Sequence, residues 1–135
     1  MSTFAVEDAA LMRDARTVRI ETSAGEGEPV HRAIIWIVVD EDGRTFVRSW
    51  LGPRGRWYRE LLANSIGAVH VAGKRIPVRA KPADEGGIQA CSRLLSLKHR
   101  TSHGSLASML RDEVLPTTLE LEPTPTPRSG GVPAR

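Results

Sequence analysis

Ala33 to Val39, AIIWIVV, is an unbroken apolar run built mostly of β-branched side chains. Such side chains are stiff at χ1 and pack well on a pleated surface, so the run predicts a strand. It shows no alternation, which means that both faces are covered. The strand is read over Val30 to Asp40. Asp40-Glu41-Asp42-Gly43 follows, and Asp-Gly is the strongest short hairpin signal. Arg44 to Trp50 then returns as a second strand. An apolar strand of this length cannot be left with a free edge, because an open edge recruits other chains. The fold therefore has to cover or close its sheet.

The remaining segments supply the other walls. Ala5 to about Ala15 reads as a helix, with Ser2 or Thr3 as cap and acids in its early turns. Val18 to Ser23 alternates and ends at the turn AGEGEP. WYRELLAN, Trp57 to Asn64, reads as a short helix. Ile66 to Ala72 and Arg75 to Ala80 form a hairpin around Gly73-Lys74, with Val71 opposite Ile76 and Val69 opposite Val78. Asp84 caps a helix reaching about His99, whose stripe Ile88, Cys91, Leu94 and Leu95 has helical spacing. An amphipathic turn spans Leu106 to Val114. Thr117 to Leu121 is the last strand, with Leu119 and Leu121 facing the core. Six short strands, one small helix between them and a closing helix and strand predict a mainly β fold, a small barrel. Residues 1–122 form one domain, and the Pro/Thr/Gly-rich residues 123–135 are expected to be disordered.

Composition sets limits on function. The longest apolar run is far shorter than the roughly 20 residues that a membrane-spanning helix needs. The acidic N-terminus lacks the features of a signal peptide. Cys91 is the single cysteine, so no internal disulfide forms. These features predict a cytoplasmic protein. The net charge of +3 conceals a strong asymmetry. Residues 1–42 sum to −5, residues 44–111 to +10 and residues 112–135 to −2. A middle this basic points to an anionic partner or to a solvated basic surface balanced by acidic flanks.

Residues 48–60, RSWLGPRGRWYRE, gather four arginines, two tryptophans and the only tyrosine around Gly52-Pro53 and Gly55. Strand alternation places Phe46, Arg48 and Trp50 on one face. Glycines at the bend permit close backbone approach, and the helix that follows offers unpaired N–H groups to an anion. Arg48, Arg54 and Arg56 add bidentate, charge-assisted donors. Trp50, Trp57 and Tyr58 offer flat surfaces for a planar ring, although Trp57 also suits the core. A salt bridge from Arg48 to Glu60 or Asp42 is the competing explanation for a cation between two aromatic residues.

IIWIVVDEDGRTFVRSWLGPRGRWYRELL resembles the central motif of a bacterial family of unknown function. VAGKRIPVRA, CSRLLSLKHR and TTLELEP resemble its later parts, so the likeness runs from about Arg16 to Pro123. That family in turn resembles the split-barrel superfamily, which includes pyridoxamine-phosphate-oxidase-like and deazaflavin-dependent nitroreductase-like proteins. The resemblance implies a six-stranded split β-barrel with flanking helices, a homodimer, and FMN or a deazaflavin held at the end of the third strand. The matching positions are Arg48, Ser49, Trp50, Arg54, Gly55, Arg56 and Trp57. Lys74 and Arg75 are implied at the same site or at that of a dimer partner. Pro53 and Arg54 depart from many flavin-binding members.

Such a protein would be an oxidoreductase if it is an enzyme, with the cofactor carrying the hydride; no catalytic residue is assigned. The alternative is a non-enzymatic barrel that binds haem, another anionic small molecule or single-stranded nucleic acid, or one that has lost its ligand. Cys91 reads as a buried, inert thiol. His99 and His103 read as surface histidines with no carboxylate to complete a metal set. His31 and His70 read as structural imidazoles that could also relay protons. Asp40, Glu41 and Asp42 read as solvated turn residues. GxSxG, Walker and HExxH motifs are absent.

Overall fold

The computed structural model describes residues 3–124. Four α-helices are present among the described residues: α1 (Val6–Asp14), α2 (Arg56–Ala63), α3 (Glu85–Lys98) and α4 (His103–Met109). Seven strands complete the fold: β1 (Val18–Ser23), β2 (Val30–Ile35), β3 (Val38–Val39), β4 (Thr45–Val47), β5 (Ile66–Val71), β6 (Lys74–Pro82) and β7 (Leu119–Pro123). They make one antiparallel sheet in the order β2-β1-β5-β6-β7-β4-β3, curled into a split barrel. The expected disordered tail lies outside the described residues, apart from Pro123 and Thr124.

The strand count rises from six to seven because Val30–Asp40 is not one strand. It breaks at Trp36-Ile37, and its halves form the two opposite edges of the sheet. The curl brings those edges together, and two residues suffice to pass from one to the other. Three contacts hold the break. Lys98 Nζ donates to Ile37 O at 2.8 Å and to Met12 O at 3.1 Å. The Trp36 ring stacks on His99, with centroids 3.7 Å apart and planes within 3°. His99 is therefore a fully buried histidine and not a surface one. Apolar periodicity assigns no place to a polar residue past the end of its stripe, so this packing was invisible in the sequence.

Alternation sorts the core into two layers. Ile20, Val47, Val69, Val78, Leu119 and Leu121 point into the barrel, where Met12 of α1 joins them. Val38 and Phe46 point outward and are covered by Cys91 and Leu95 of α3 and Met109 of α4. Each fully buried aliphatic or aromatic side chain of this kind contributes about 1.5–3 kcal/mol. Cys91 is buried, and desolvation pushes its thiol up to about 11, consistent with an inert role.

Several turns follow their sequence chemistry. Gly43 takes φ +87°, and the Asp40 carboxylate accepts the N–H groups of Asp42 and Arg44 at 2.9 and 2.8 Å. Asp40 is thus a buried turn organiser and not a solvated acid. Asp84 caps α3 by accepting the Gly87 N–H at 2.7 Å. The β5–β6 hairpin differs from expectation. Its turn is Ala72-Gly73, so Val71 lies opposite Lys74 and Val69 opposite Ile76. Both turn residues have positive φ, +52° and +78°, as a two-residue hairpin loop of the primed type requires. The pairing shifts by two residues, which preserves each side chain's face.

Candidate functional site

The bend after β4 is a chain of short local bonds. Ser49 Oγ donates to Gly52 O at 2.7 Å, and the N–H of Gly52 donates to Ser49 O. A 3-10 turn over Gly52–Arg54 follows, with Gly52 at φ +67°. Gly55 then precedes α2, and no side chain caps that helix. A Cβ at Gly55 would stand 2.4 Å from Ser49 Oγ, so this position needs glycine for space and not for its φ of −61°. The first N–H groups of α2 consequently have no intrahelical acceptor.

Arg48 is only 2% exposed. Its guanidinium donates to Thr118 Oγ1 at 2.8 Å, Ser92 Oγ at 3.0 Å, Met109 O at 2.9 Å and Ile88 O at 2.9 Å. These four acceptors come from the approach to β7, from α3 and from the last turn of α4. A cation is favourable at that helix terminus, where carbonyls lack partners. None of the acceptors is a carboxylate, and neither Glu60 nor Asp42 pairs with Arg48. Glu60 bonds Thr22 and His31 instead. Burial lowers the Arg48 pKa from its usual value, but a guanidinium remains charged.

Arg48 and Ser49 form part of the wall of a cavity of about 470 Å³. Trp50, Gly55, Arg56 and Trp57 line it as well, so six of the nine expected site residues share one cavity. The other three are placed elsewhere. Arg54 is exposed on the outside of the bend. Lys74 pairs with Asp8 of α1, and Arg75 with Glu21 of β1 at 2.9 Å. Glu21 also bonds His70 at 2.7 Å. Its hydrogen bond from Arg75, aided by His70, holds its carboxyl down to about 2 against the opposing effect of burial.

Sequence reasoning missed the opposite wall, which is β2 with His31, Arg32, Ala33, Ile34 and Ile35, together with Trp36. Ser105 and Met109 of α4 close one side. The period-2 pattern could place His31, Ala33 and Ile35 on one face, but nothing local identified β2 as a sheet edge facing a cavity. As a result all three tryptophans of the chain line one space. Trp57 packs on the barrel core and also forms part of the cavity wall. Among the described residues, no three His, Cys, Asp or Glu side chains gather as a metal site. No described helix is long and apolar enough to cross a membrane.

The order of elements in this site, from the apolar strand through the glycine bend to α2, matches a known family profile over residues 8–121, described as uncharacterized protein conserved in bacteria (DUF2255). The chain belongs to that family. No curated protein sequence matches it. Solved structures share the fold at low identity. One, described as a domain-swapped dimer, superposes with a TM-score of 0.60 at 16% identity, over 81% of each chain. An F420-H2 dependent reductase gives 0.60 at 15% identity, over 79% of this DUF2255 chain and 94% of its own. An FAD-binding protein from Mesorhizobium loti gives 0.57 at 13% identity, over 90% and 88%. These likenesses establish the split barrel. The cofactors named belong to those proteins.

Proposed function

We propose that the cavity binds a phosphorylated cofactor of the flavin or deazaflavin class, in a homodimer, and that any turnover is a redox reaction. The observation that carries this reading is the convergence of Trp36, Trp50, Trp57, Arg48 and Arg56 on one space. The cavity is of a size that encloses a small organic ligand. Its indole faces suit a planar ring. Arg48, Ser49, Arg56 and the first N–H groups of α2 form the polar end for phosphate. A charge buried without a carboxylate partner is stabilised further when an anion approaches. When bound, such a ring carries the hydride, and the side chains orient it and exclude water. The flavin and F420 proteins of the same fold support the ligand class.

Ile34, Trp50 and Leu51 are exposed at the cavity mouth beside the free edge of β2. Together with the dimeric relative, they support a second copy of this chain packing there. The test is titration of cofactor-free protein with FMN and, separately, with F420, followed by ligand and tryptophan fluorescence. Saturable quenching by one of them is expected. Silence from both would end the reading.

A further inference from the structure

A chain of three side chains stands on the β2 wall, outside the residues that the bend contributes. Thr22 Oγ1 donates to Glu60 Oε1 at 2.7 Å, and Glu60 Oε2 lies 2.8 Å from His31 Nδ1. Thr22 and His31 are opposite each other across β1 and β2, and Glu60 reaches them from α2. Glu60 is an ionised acceptor. Burial alone would raise its pKa, but the Thr22 hydroxyl and His31, aided by Arg56, bring it below the usual carboxylate range. An ionised carboxylate on Nδ1 selects the tautomer with the proton there. The lone pair is then left on Nε2, on the opposite edge of the ring. His31 lines the cavity, and among the described residues Nε2 meets no hydrogen-bond partner.

We infer that His31 is the proton-bearing ligand contact of this cavity, with Glu60 and Thr22 as its positioning residues. The assignment rests on the cofactor reading above. An anionic atom of the bound ligand meets the protonated imidazole at Nε2. If the proton crosses, the Nε2–H bond breaks and its electron pair stays on the imidazole. The new bond to hydrogen forms on the ligand atom, whose negative charge is thereby cancelled. Glu60 stays ionised throughout and stabilises the imidazolium, the role that a buried carboxylate plays behind any such histidine. The charged groups around the pair are Arg56 and Arg59 on α2, with Arg32 beside His31 on β2, where it lines the same cavity and pairs with Glu21 of β1 at 3.7 Å. Arg32, Arg48 and Arg56 are the guanidinium cations that line the cavity, and His31 is its imidazole.

The consequence is that ligand binding takes up a proton. Calorimetric titration of wild-type protein and His31→Gln with FMN, near pH 6.5 in two buffers of different ionisation enthalpy, measures it. The phosphate of FMN exchanges protons with both proteins, so the difference isolates His31. Wild type is expected to take up more protons on binding than the variant. Glu60→Gln is expected to lose most of that difference while keeping its fold by circular dichroism. Equal uptake by wild type and His31→Gln, with FMN bound by both, overturns the inference and leaves the cavity reading standing. No binding of FMN or of F420 by wild type removes both. A ligand-free measurement stands beside these: histidine ring-nitrogen shifts at alkaline pH should show the Nδ1–H tautomer at His31. An Nε2–H tautomer would overturn the assignment.

Discussion

Replacing Arg48 strips a donor from four acceptors that belong to two helices, α3 and α4, and to the lead-in to β7. Arg48→Met keeps the apolar stem but leaves the Met109 and Ile88 carbonyls and the Thr118 and Ser92 hydroxyls without this donor. An expected loss of about 3 kcal/mol follows, read as a lower urea midpoint at unchanged slope. A fall in cofactor affinity in that variant therefore cannot be assigned to the pocket alone. Arg56 is the cleaner probe, since it is exposed and lines the same cavity. Arg56→Ala should leave stability within about 0.5 kcal/mol and weaken FMN binding about tenfold. An unchanged titration would remove Arg56 from the phosphate site. The burial of Arg48 between aromatic residues was legible from alternation. Its four neutral acceptors were not, because they lie from 40 to 70 residues away along the chain.

The β5–β6 hairpin carries two constraints with opposite outcomes on substitution. Ala72 holds φ +52°, a region in which a Cβ costs about 1–2 kcal/mol. Ala72→Gly should relieve part of that strain and raise stability by roughly 0.5–1 kcal/mol, less what glycine adds to the freedom of the unfolded chain. A thermal melt with an unchanged or lower midpoint would show that the turn is not strained. Gly67 has no positive φ but faces the backbone of β1, where an added Cβ would stand 2.5 Å from Glu21 O. Gly67→Ala is expected to force β1 and β5 apart and lower stability by more than 2 kcal/mol, because backbone cannot swing aside as a side chain can. Within elements, the sequence reading located strands and helices closely, as with Val18–Ser23 and the Asp84 cap. It failed on register at Gly73-Lys74, because the alternating pattern is identical after a two-residue shift and only turn geometry separates the two pairings.

Charge shows what the assembled chain does with its parts. The acidic flanks are folded onto the basic middle: Asp8 on Lys74, Glu21 on Arg75, Glu120 on Arg44 and Glu122 on Lys81. Much of the asymmetry along the sequence is therefore internal pairing, and the cations that line the cavity are Arg48, Arg56 and Arg32, the last of them paired with Glu21 at 3.7 Å. One buried group makes stability depend on pH. Burial, with Lys98 and Arg16 nearby, lowers His99 from 6.5 to about 4. Between those values the unfolded chain binds the proton and the folded chain does not. Stability must then fall as pH drops from about 6.5 to 4, by on the order of 2–3 kcal/mol in full. Glu21 adds a further loss only below 4.5. In denaturant titrations across this range, wild type should lose stability toward acid more steeply than His99→Phe; parallel curves would clear His99 of the effect. The sequence alone determined the mainly β architecture, the glycine bend and the cluster of cation and indole beside it, since hydrophobic period and turn chemistry act over a few residues. Only the tertiary structure decided that Val30–Val39 serves both edges of the sheet, that Trp36 and His31 complete the cavity, and that Arg48 braces two helices and the lead-in to β7 while lining it. Those are contacts between distant segments, and curling the sheet is what brings them within reach of one another.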